Sequence, residues 1–313
     1  MLRFVISRLL WSVPVVLAVS LLTFALVSLI PGDAARTILG ANATPAQYVA
    51  LRHALGLDQP LYTQYWHWLQ GIFHGSLGAS SVTGQSVVTA LRERVGVSLS
   101  LICATTIVTA AVGVSLGIAA AIGRGRLARA VDVLSLMGLA VPNFWLGLVL
   151  VALLAVRVRI FPATGYVSLA SSPSEWLRSL VLPVVTLSAG AVAIVAKQTR
   201  DSLLDVLNRD FVRFLRANGI ARRSIIYRHA LRNAAISIVT VLGLVFVGLL
   251  SGTVLVEVVF ALPGLGSLAV DATAAHDVPV ILGVALTFTV AVVAVNLCVD
   301  LAYAWLNPKL RRS

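Results

Sequence analysis

The chain has 313 residues, of which 59% are hydrophobic and only 12% charged, and its formal net charge is +12. A water-soluble domain is about a quarter charged, so this composition excludes an ordinary soluble globular protein. The missing charge is concentrated in recurring apolar runs, each near the length of about 20 residues that crosses a bilayer.

Six charge-free windows stand out in chain order: Leu9–Ile30, Val95–Gly123, Val133–Val156, Ser179–Ala196, Asn233–Val256 and Val278–Val299. Each reads as a transmembrane helix, because a backbone in lipid must satisfy its own hydrogen bonds. The expected fold class is therefore an all-α polytopic membrane protein with six transmembrane helices. The first window has the basic start of a signal peptide (Arg3, Arg8), but its apolar run of about 22 residues is too long for a cleaved core. No small-x-small site precedes Pro31-Gly32-Asp33, so a retained helix is expected. The organisation that follows is 1–30 for the N-terminus and first helix, 31–94 for an extracytoplasmic loop or subdomain, and 95–313 for a five-helix core. That core carries a polar loop over 197–232.

The 31–94 segment is too long for a plain connector. Thr44-Pro45 reads as a helix start, with Thr as N-cap and Pro at the first helical position, and Gly56 as its stop. Asp58 and Pro60 announce a second helix. In it Leu61, Tyr65, Trp68, Leu69 and Ile72 fall on one face, widened by Tyr62, Trp66 and His67. An aromatic amphipathic helix of this kind suits the headgroup interface. It caps the bundle or helps to dock an extracytoplasmic protein, and both readings stand.

In the second window Gly113 and Gly117 form a G-x-x-x-G pair among small residues, which lets helices approach closely, either inside the bundle or against a partner. In the third, Pro142 breaks the hydrogen-bond ladder just before Asn143, Phe144 and Trp145, marking either a packing kink or the wall of a translocation path. Between windows four and five, Lys197–Arg232 holds nine basic and three acidic residues. Asp210 starts a short helix with Phe211, Phe214 and Leu215 spaced i, i+3, i+4, and Gly219 ends it as a residue with positive φ would. A second amphipathic stretch from Ser224 runs into the fifth span. After that span, Glu257 either faces a substrate amino group or pairs with Arg157, Arg159 or Arg178.

Six spans put both termini on one side. That side receives 17 of the 24 Lys and Arg, including Arg124, Arg126, Lys309, Arg311 and Arg312, and the other receives seven. The positive-inside rule makes the richer side, termini and 197–232 loop included, cytoplasmic. The basicity is a topology signal, and no nucleic-acid partner is expected; anionic membrane lipid is.

No G-x-x-x-x-G-K-[ST] nucleotide loop exists: the only lysines, Lys197 and Lys309, follow Ala196 and Pro308. An ion-coupled secondary transporter is the alternative of a different class, but the windows carry no acid or His to serve it. Intramembrane serines such as Ser98 and Ser100 have no His partner in a window, so no catalytic residue is expected. Cys103 and Cys298 read as apolar fillers, and no Cys or His cluster has metal-ligand spacing, so no metal is expected either.

Asp210-Phe211-Val212-Arg213-Phe214-Leu215-Arg216-Ala217-Asn218-Gly219, followed by Arg228-His229-Ala230-Leu231-Arg232-Asn233-Ala234, resembles the coupling loop of the dipeptide/oligopeptide/nickel permease family of ABC importers. The general importer signature there is Glu-Ala-Ala-x-x-x-Gly. Gly219 matches its glycine, while Arg213, Phe214 and Leu215 replace its triplet, and Ser237 stands where the family often has proline. Further fragments resemble the family in order: Pro31-Gly32-Asp33, Leu55-Gly56-Leu57-Asp58, Gly75-Ser76-Leu77-Gly78, Val141-Pro142-Asn143-Phe144-Trp145, Phe161-Pro162-Ala163-Thr164-Gly165, and Phe260 with Leu262-Pro263-Gly264-Leu265-Gly266. The long loop after the first span resembles that of the first of two permease subunits.

The resemblance implies a type I importer permease bundle in a bacterial inner membrane, forming half of a path for di- or oligopeptides, or for nickel, haem or glutathione. It implies no cofactor on this chain, with ATP and Mg on two ATPase subunits or one fused ATPase, a second homologous permease, and an extracytoplasmic binding protein. Phe211, Arg213, Phe214, Leu215, Arg216 and Gly219 would couple to the ATPase. Asn143, Phe144, Trp145 and Glu257 would line the path, and Phe260, Pro263, Gly264, Leu265 and Gly266 would dock the binding protein.

Overall fold

The structure, a computed structural model, describes residues 2–32, 34–40, 43–123 and 125–306. Asp33, Arg124, Lys309, Arg311 and Arg312 lie outside these residues, as do the side chains of Arg3 and Arg126. The described residues are helical throughout apart from turns and one isolated antiparallel bridge, Ala79 to Ser86. In order come α1 (Leu2–Ser28), α2 (Ala34–Leu39), α3 (Pro45–Ala54), α4 (Leu61–Phe73), α5 (Val87–Ile122), α6 (Arg126–Ala140) and α7 (Asn143–Leu150). A π-helical turn (Val151–Arg157) follows, then α8 (Pro173–Leu207), α9 (Asp210–Ala217) and α10 (Arg222–Ser224). A second π-turn (Ile225–Ala230) leads into α11 (Leu231–Val259), α12 (Leu265–Ala274) and α13 (Val278–Leu306).

Among the described residues, five helical segments are long and apolar enough to cross a membrane: Val5–Ser28, Val87–Ile122, Pro173–Leu207, Arg222–Val259 and Val278–Leu306. All five run past their charge-free windows at one end or both. The third window differs. Instead of one helix over Val133–Val156 there are two shorter pieces, with Val141 and Pro142 both extended between them. Pro142 has no N–H to give and disfavours helical backbone at the residue before it. The ladder therefore closes at Val141 N–H to Met137 O (3.1 Å) and restarts with Leu146 N–H donating to Pro142 O (3.1 Å).

The chain divides into two compact units. The first comprises residues 1–98 and 263–293. Its core joins Val87 and Leu91 of α5, Leu265 and Ala272 of α12, and Val280, Ile281 and Val284 of α13. A Cβ on Gly283 would sit 2.5 Å from Val87 Cγ1, so glycine is what lets these helices meet. Loops are tied to the same unit by polar contacts, of which the one between Ser80 and Asp277 is buried. Asp277 accepts from Ser80 Oγ and, at 3.1 Å, from the Ser81 N–H, while His276 Nε2 bonds Pro31 O at 3.0 Å. Thr44 caps α3 through a reciprocal box with Gln47, as the sequence predicts. Asp58 does not cap α4, whose first turn has no side-chain cap. It turns back to His53, 2.6 Å away.

The second unit, residues 99–262 and 294–313, is built around α8. Of α8's apolar window 67% is buried, against 11% for α1. Small residues set the approach distances. A Cβ on Gly117 would fall 2.5 Å from Thr199 Cβ, one on Gly113 2.9 Å from Val195, and one on Gly190 2.8 Å from Gly138 O. The G-x-x-x-G pair therefore packs inside the bundle, on α8. On the side of the polar loop, Leu203, Val206, Ile226, Ala230, Ala234 and Ile238 form a second apolar cluster.

Candidate functional site

Two features of the second unit can do work. One is the cleft at the broken helix. Close packing of α6, α7, α8 and α11 is interrupted where Val141 and Pro142 leave the helical path. A cleft of about 500 Å³ opens there, lined by Pro142, Asn143, Gly190, Ile194, Val245 and Gly252 among others. A neighbouring space of about 370 Å³ shares Gly138, Val141, Asn143 and Gly190. Asn143 lines both, and its amide nitrogen lies 3.7 Å from where a Cβ on Gly252 would be. Among the described residues the walls are otherwise aliphatic or glycine, apart from Met137 and Ser188, and none is charged. The break costs little in backbone hydrogen bonding, because Val141 N–H still reaches Met137 O and Pro142 O still accepts from Leu146 N–H. Phe144 and Trp145 do not line the cleft; both are exposed, 43% and 53%.

The other is the elbow α9–Gly219–α10. Val212 is wholly buried and anchors α9. Phe214 is 68% exposed and Phe211 36%, Arg213 and Arg216 are exposed, and Leu215 is half-buried. The ridge turned outward is thus Phe211–Phe214, one turn apart, while Leu215 shares the inward side with Val212. Gly219 at φ 73° completes a Schellman end, with Gly219 N–H donating to Arg216 O (3.0 Å) and Ile220 N–H to Leu215 O (3.2 Å). Asp210 occupies the first helical position rather than the cap and pairs with Arg213 at 3.4 Å.

The remaining candidates are packed rather than presented. Glu257 is fully buried, as are Phe260 and Leu265 at 2% exposure. Gly264 and Gly266 are buried too, and of this group only Pro263 is exposed. Ser98 Oγ accepts from Leu265 N–H at 2.8 Å, and Ser267 closes on Gly264. Arg178, one proposed partner of Glu257, is engaged by Glu175 at 3.3 Å and donates to Ile160 O at 3.0 Å. A charged link between α6 and α8 is not legible in the sequence. There Arg200 meets Asp132 at 2.8 Å, with Lys197 3.9 Å from the same carboxylate. Residues 68 apart in sequence with no motif between them give no signal of proximity. Nor did any signal mark Gly138 and Gly190 as facing each other beside the cleft.

The relatives agree with this architecture. Residues 113–312 match the family described as binding-protein-dependent transport system inner membrane component, and residues 1–102 match its N-terminal companion. The chain belongs to this family. It is a multi-pass inner-membrane protein and the permease subunit of a binding-protein-dependent ABC importer. A putative peptide transport system permease protein of Brucella abortus is 40% identical over 308 residues, 98% of each chain. A glutathione transport system permease protein of Salmonella choleraesuis is 39% identical over 313 residues, 99% of each. Among solved structures, the inward-facing MetNI methionine ABC transporter aligns with a TM-score of 0.56 and 16% identity, covering 70% of this chain and 97% of that one. The likeness is one of fold: a type I importer permease bundle. As a binding-protein-dependent permease, the chain works with an ATPase and a solute-binding protein.

Proposed function

We propose that this permease imports di- and oligopeptides, forming half of the pathway beside a second, homologous permease. The observation that carries the cargo is the full-length similarity, at 40% and 38% identity, to permeases of Brucella abortus and Sinorhizobium fredii named for peptide transport. The cleft at the α6–α7 break supports it physically. A wall whose described residues are uncharged, mostly glycine and aliphatic, suits a cargo whose side chains vary, with Asn143 offering an amide to its constant backbone. Selection then falls to the binding protein. Glutathione, itself a tripeptide, is the second reading, favoured by the Salmonella relative.

The chain itself is not an enzyme. ATP and Mg are bound by ATPase subunits, separate or fused, and their closure is felt through Phe211, Arg213, Phe214, Leu215 and Arg216, with Gly219 as the elbow. Tyr227, Arg223 and Arg228 beside the elbow line an open groove of about 650 Å³ that gives the ATPase surface further purchase. Transport assays in proteoliposomes with the cognate binding protein decide the cargo. Uptake of labelled di- and tripeptides, competed by unlabelled peptides, supports the proposal; uptake of nickel or haem uncompeted by peptide overturns it.

A further inference from the structure

α4 carries two stripes with one spacing and a third arc that packs. Tyr62, Trp66, Leu69 and Phe73 follow i, i+4, i+7, i+11 and make an apolar stripe. Tyr62 is 76% exposed, Trp66 55% and Phe73 79%. One step round the helix, Thr63, His67, Gln70 and His74 repeat the spacing as a polar stripe, with His67, Gln70 and His74 exposed. The third arc holds Tyr65 and Trp68, half-buried, their rings 5.9 Å apart. Tyr65 fixes the helix against α1: its hydroxyl hydrogen-bonds Ser20 Oγ at 2.9 Å, and its ring lies 5.5 Å from that of Phe24.

Ser20 lies eight residues before the end of α1 at Ser28, about 12 Å back along the helix at 1.5 Å per residue. Helix α4 therefore flanks the body of a membrane span rather than standing beyond its end. The side of α1 next to that contact is itself apolar and uncovered: Leu17 and Leu21, neighbours of Ser20 and Phe24 on the helix surface, are 41% and 52% exposed. A soluble helix would not leave three aromatic side chains open, and a helix immersed on all sides would not keep a polar stripe. One stripe of each kind is the pattern of a helix lying at a boundary, apolar side toward acyl chains and polar side toward headgroups and water. Aromatic side chains concentrate at that depth.

We infer that α4 is a monotopic helix set into the leaflet at the C-terminal end of α1, with lipid acyl chains as the occupant of its Tyr62–Trp66–Phe73 stripe. The inference rests on the membrane architecture and not on the identity of the cargo. The helix acts as a float: through Tyr65 it fixes the depth of α1, and through the turn at Gly75 it holds the loop at 78–86 close to the membrane surface.

The test uses the assembled importer in lipid nanodiscs, in a Cys103→Ala/Cys298→Ala background. Single nitroxide labels are placed at Tyr62→Cys, Trp66→Cys, Phe73→Cys, His67→Cys and Gln70→Cys. Collisions with membrane-soluble oxygen should exceed those with a water-soluble nickel chelate at 62, 66 and 73, and the order should invert at 67 and 70. Chelate dominating at all five positions would mean a solvated loop helix. Exclusion of both reagents at 62, 66 and 73 would mean a protein partner. Either overturns the inference. A second measurement avoids labels: phospholipids brominated on the acyl chain should quench the intact importer's tryptophan emission, and Trp66→Phe should remove part of the quenchable fraction. An unchanged fraction contradicts the inference.

Discussion

Asp277 is buried, 4% exposed, at the entry to α13, and a buried carboxylate is tolerated only when its oxygens are occupied. Ser80 Oγ and the Ser81 N–H occupy them, and Ser80 in turn accepts from the N–H groups of Val82 and Thr83. One side chain thus orders the loop around the Ala79–Ser86 bridge. Asp277→Ala leaves those donors unpaired and should cost about 2–4 kcal/mol. It should appear as a lowered thermal midpoint of the purified importer and faster proteolysis within 79–86, whereas exposed Asp271→Ala should change neither. At the exposed end of α3, the hydrogen bond and charge of Asp58 hold His53 above its ordinary 6.5, and the bond to His53 holds Asp58 below its ordinary 3.8. The His53 contribution is complete below 6.5 and fades as pH rises through its raised value. That of Asp58 is complete above 3.8 and fades as pH falls through its lowered value. Hydrogen-exchange protection of Gly56 and Leu57, corrected for intrinsic rates, should therefore be highest in mild acid and decline on the alkaline side. Asp58→Asn should flatten that decline.

At the scale of elements, the elbow makes the sharpest demand. Phe211 and Phe214 face outward from a helix anchored by Val212, so Phe211→Asp/Phe214→Asp should leave insertion and assembly of the bundle intact. It should remove the apolar contact proposed with the ATPase, about 1.5–3 kcal/mol for each large side chain, and put negative charge in its place. ATPase stimulation by loaded binding protein should fall at least tenfold, read as phosphate release in nanodiscs. Stimulation at the wild-type level would reduce the loop to a topology anchor. Gly219→Val should act by another route, since a β-branched residue resists the φ of 73° found there. Much of this element is legible in sequence: the spacing of Phe211 and Phe214, the stop at Gly219 and the second helix after it. Leu215 is not, because which of two adjacent apolar residues turns inward is set by the tertiary packing of the side that buries Val212. The break at Pro142 is legible as a disruption, but a full interruption over Val141–Pro142 depends on what α8 and α11 leave open there. The 260–266 segment shows the reverse failure. Its Leu-Pro-Gly-Leu-Gly string reads as an exposed loop, yet Ser98 Oγ and Ser267 provide the hydrogen bonds that let most of it be buried.

For the whole molecule, charge placement carries the orientation. With 17 basic residues on one side and seven on the other, Thr83→Cys should react with an impermeant maleimide in intact spheroplasts, and Ala221→Cys only after permeabilisation. Both positions are exposed in the structure, so the reverse pattern would invert the topology. Transport against a gradient must draw its energy from outside this chain, which contains no nucleotide loop. The most direct measurement of the central claim is solute uptake by proteoliposomes holding the complete importer, with binding protein and labelled tripeptide added at the binding-protein face. The account predicts uptake that requires ATP at the opposite face, stops with vanadate, ignores a collapsed proton or sodium gradient, and is lost in Phe211→Asp/Phe214→Asp while the complex stays assembled. Uptake that persists without ATP and follows an ion gradient would contradict it.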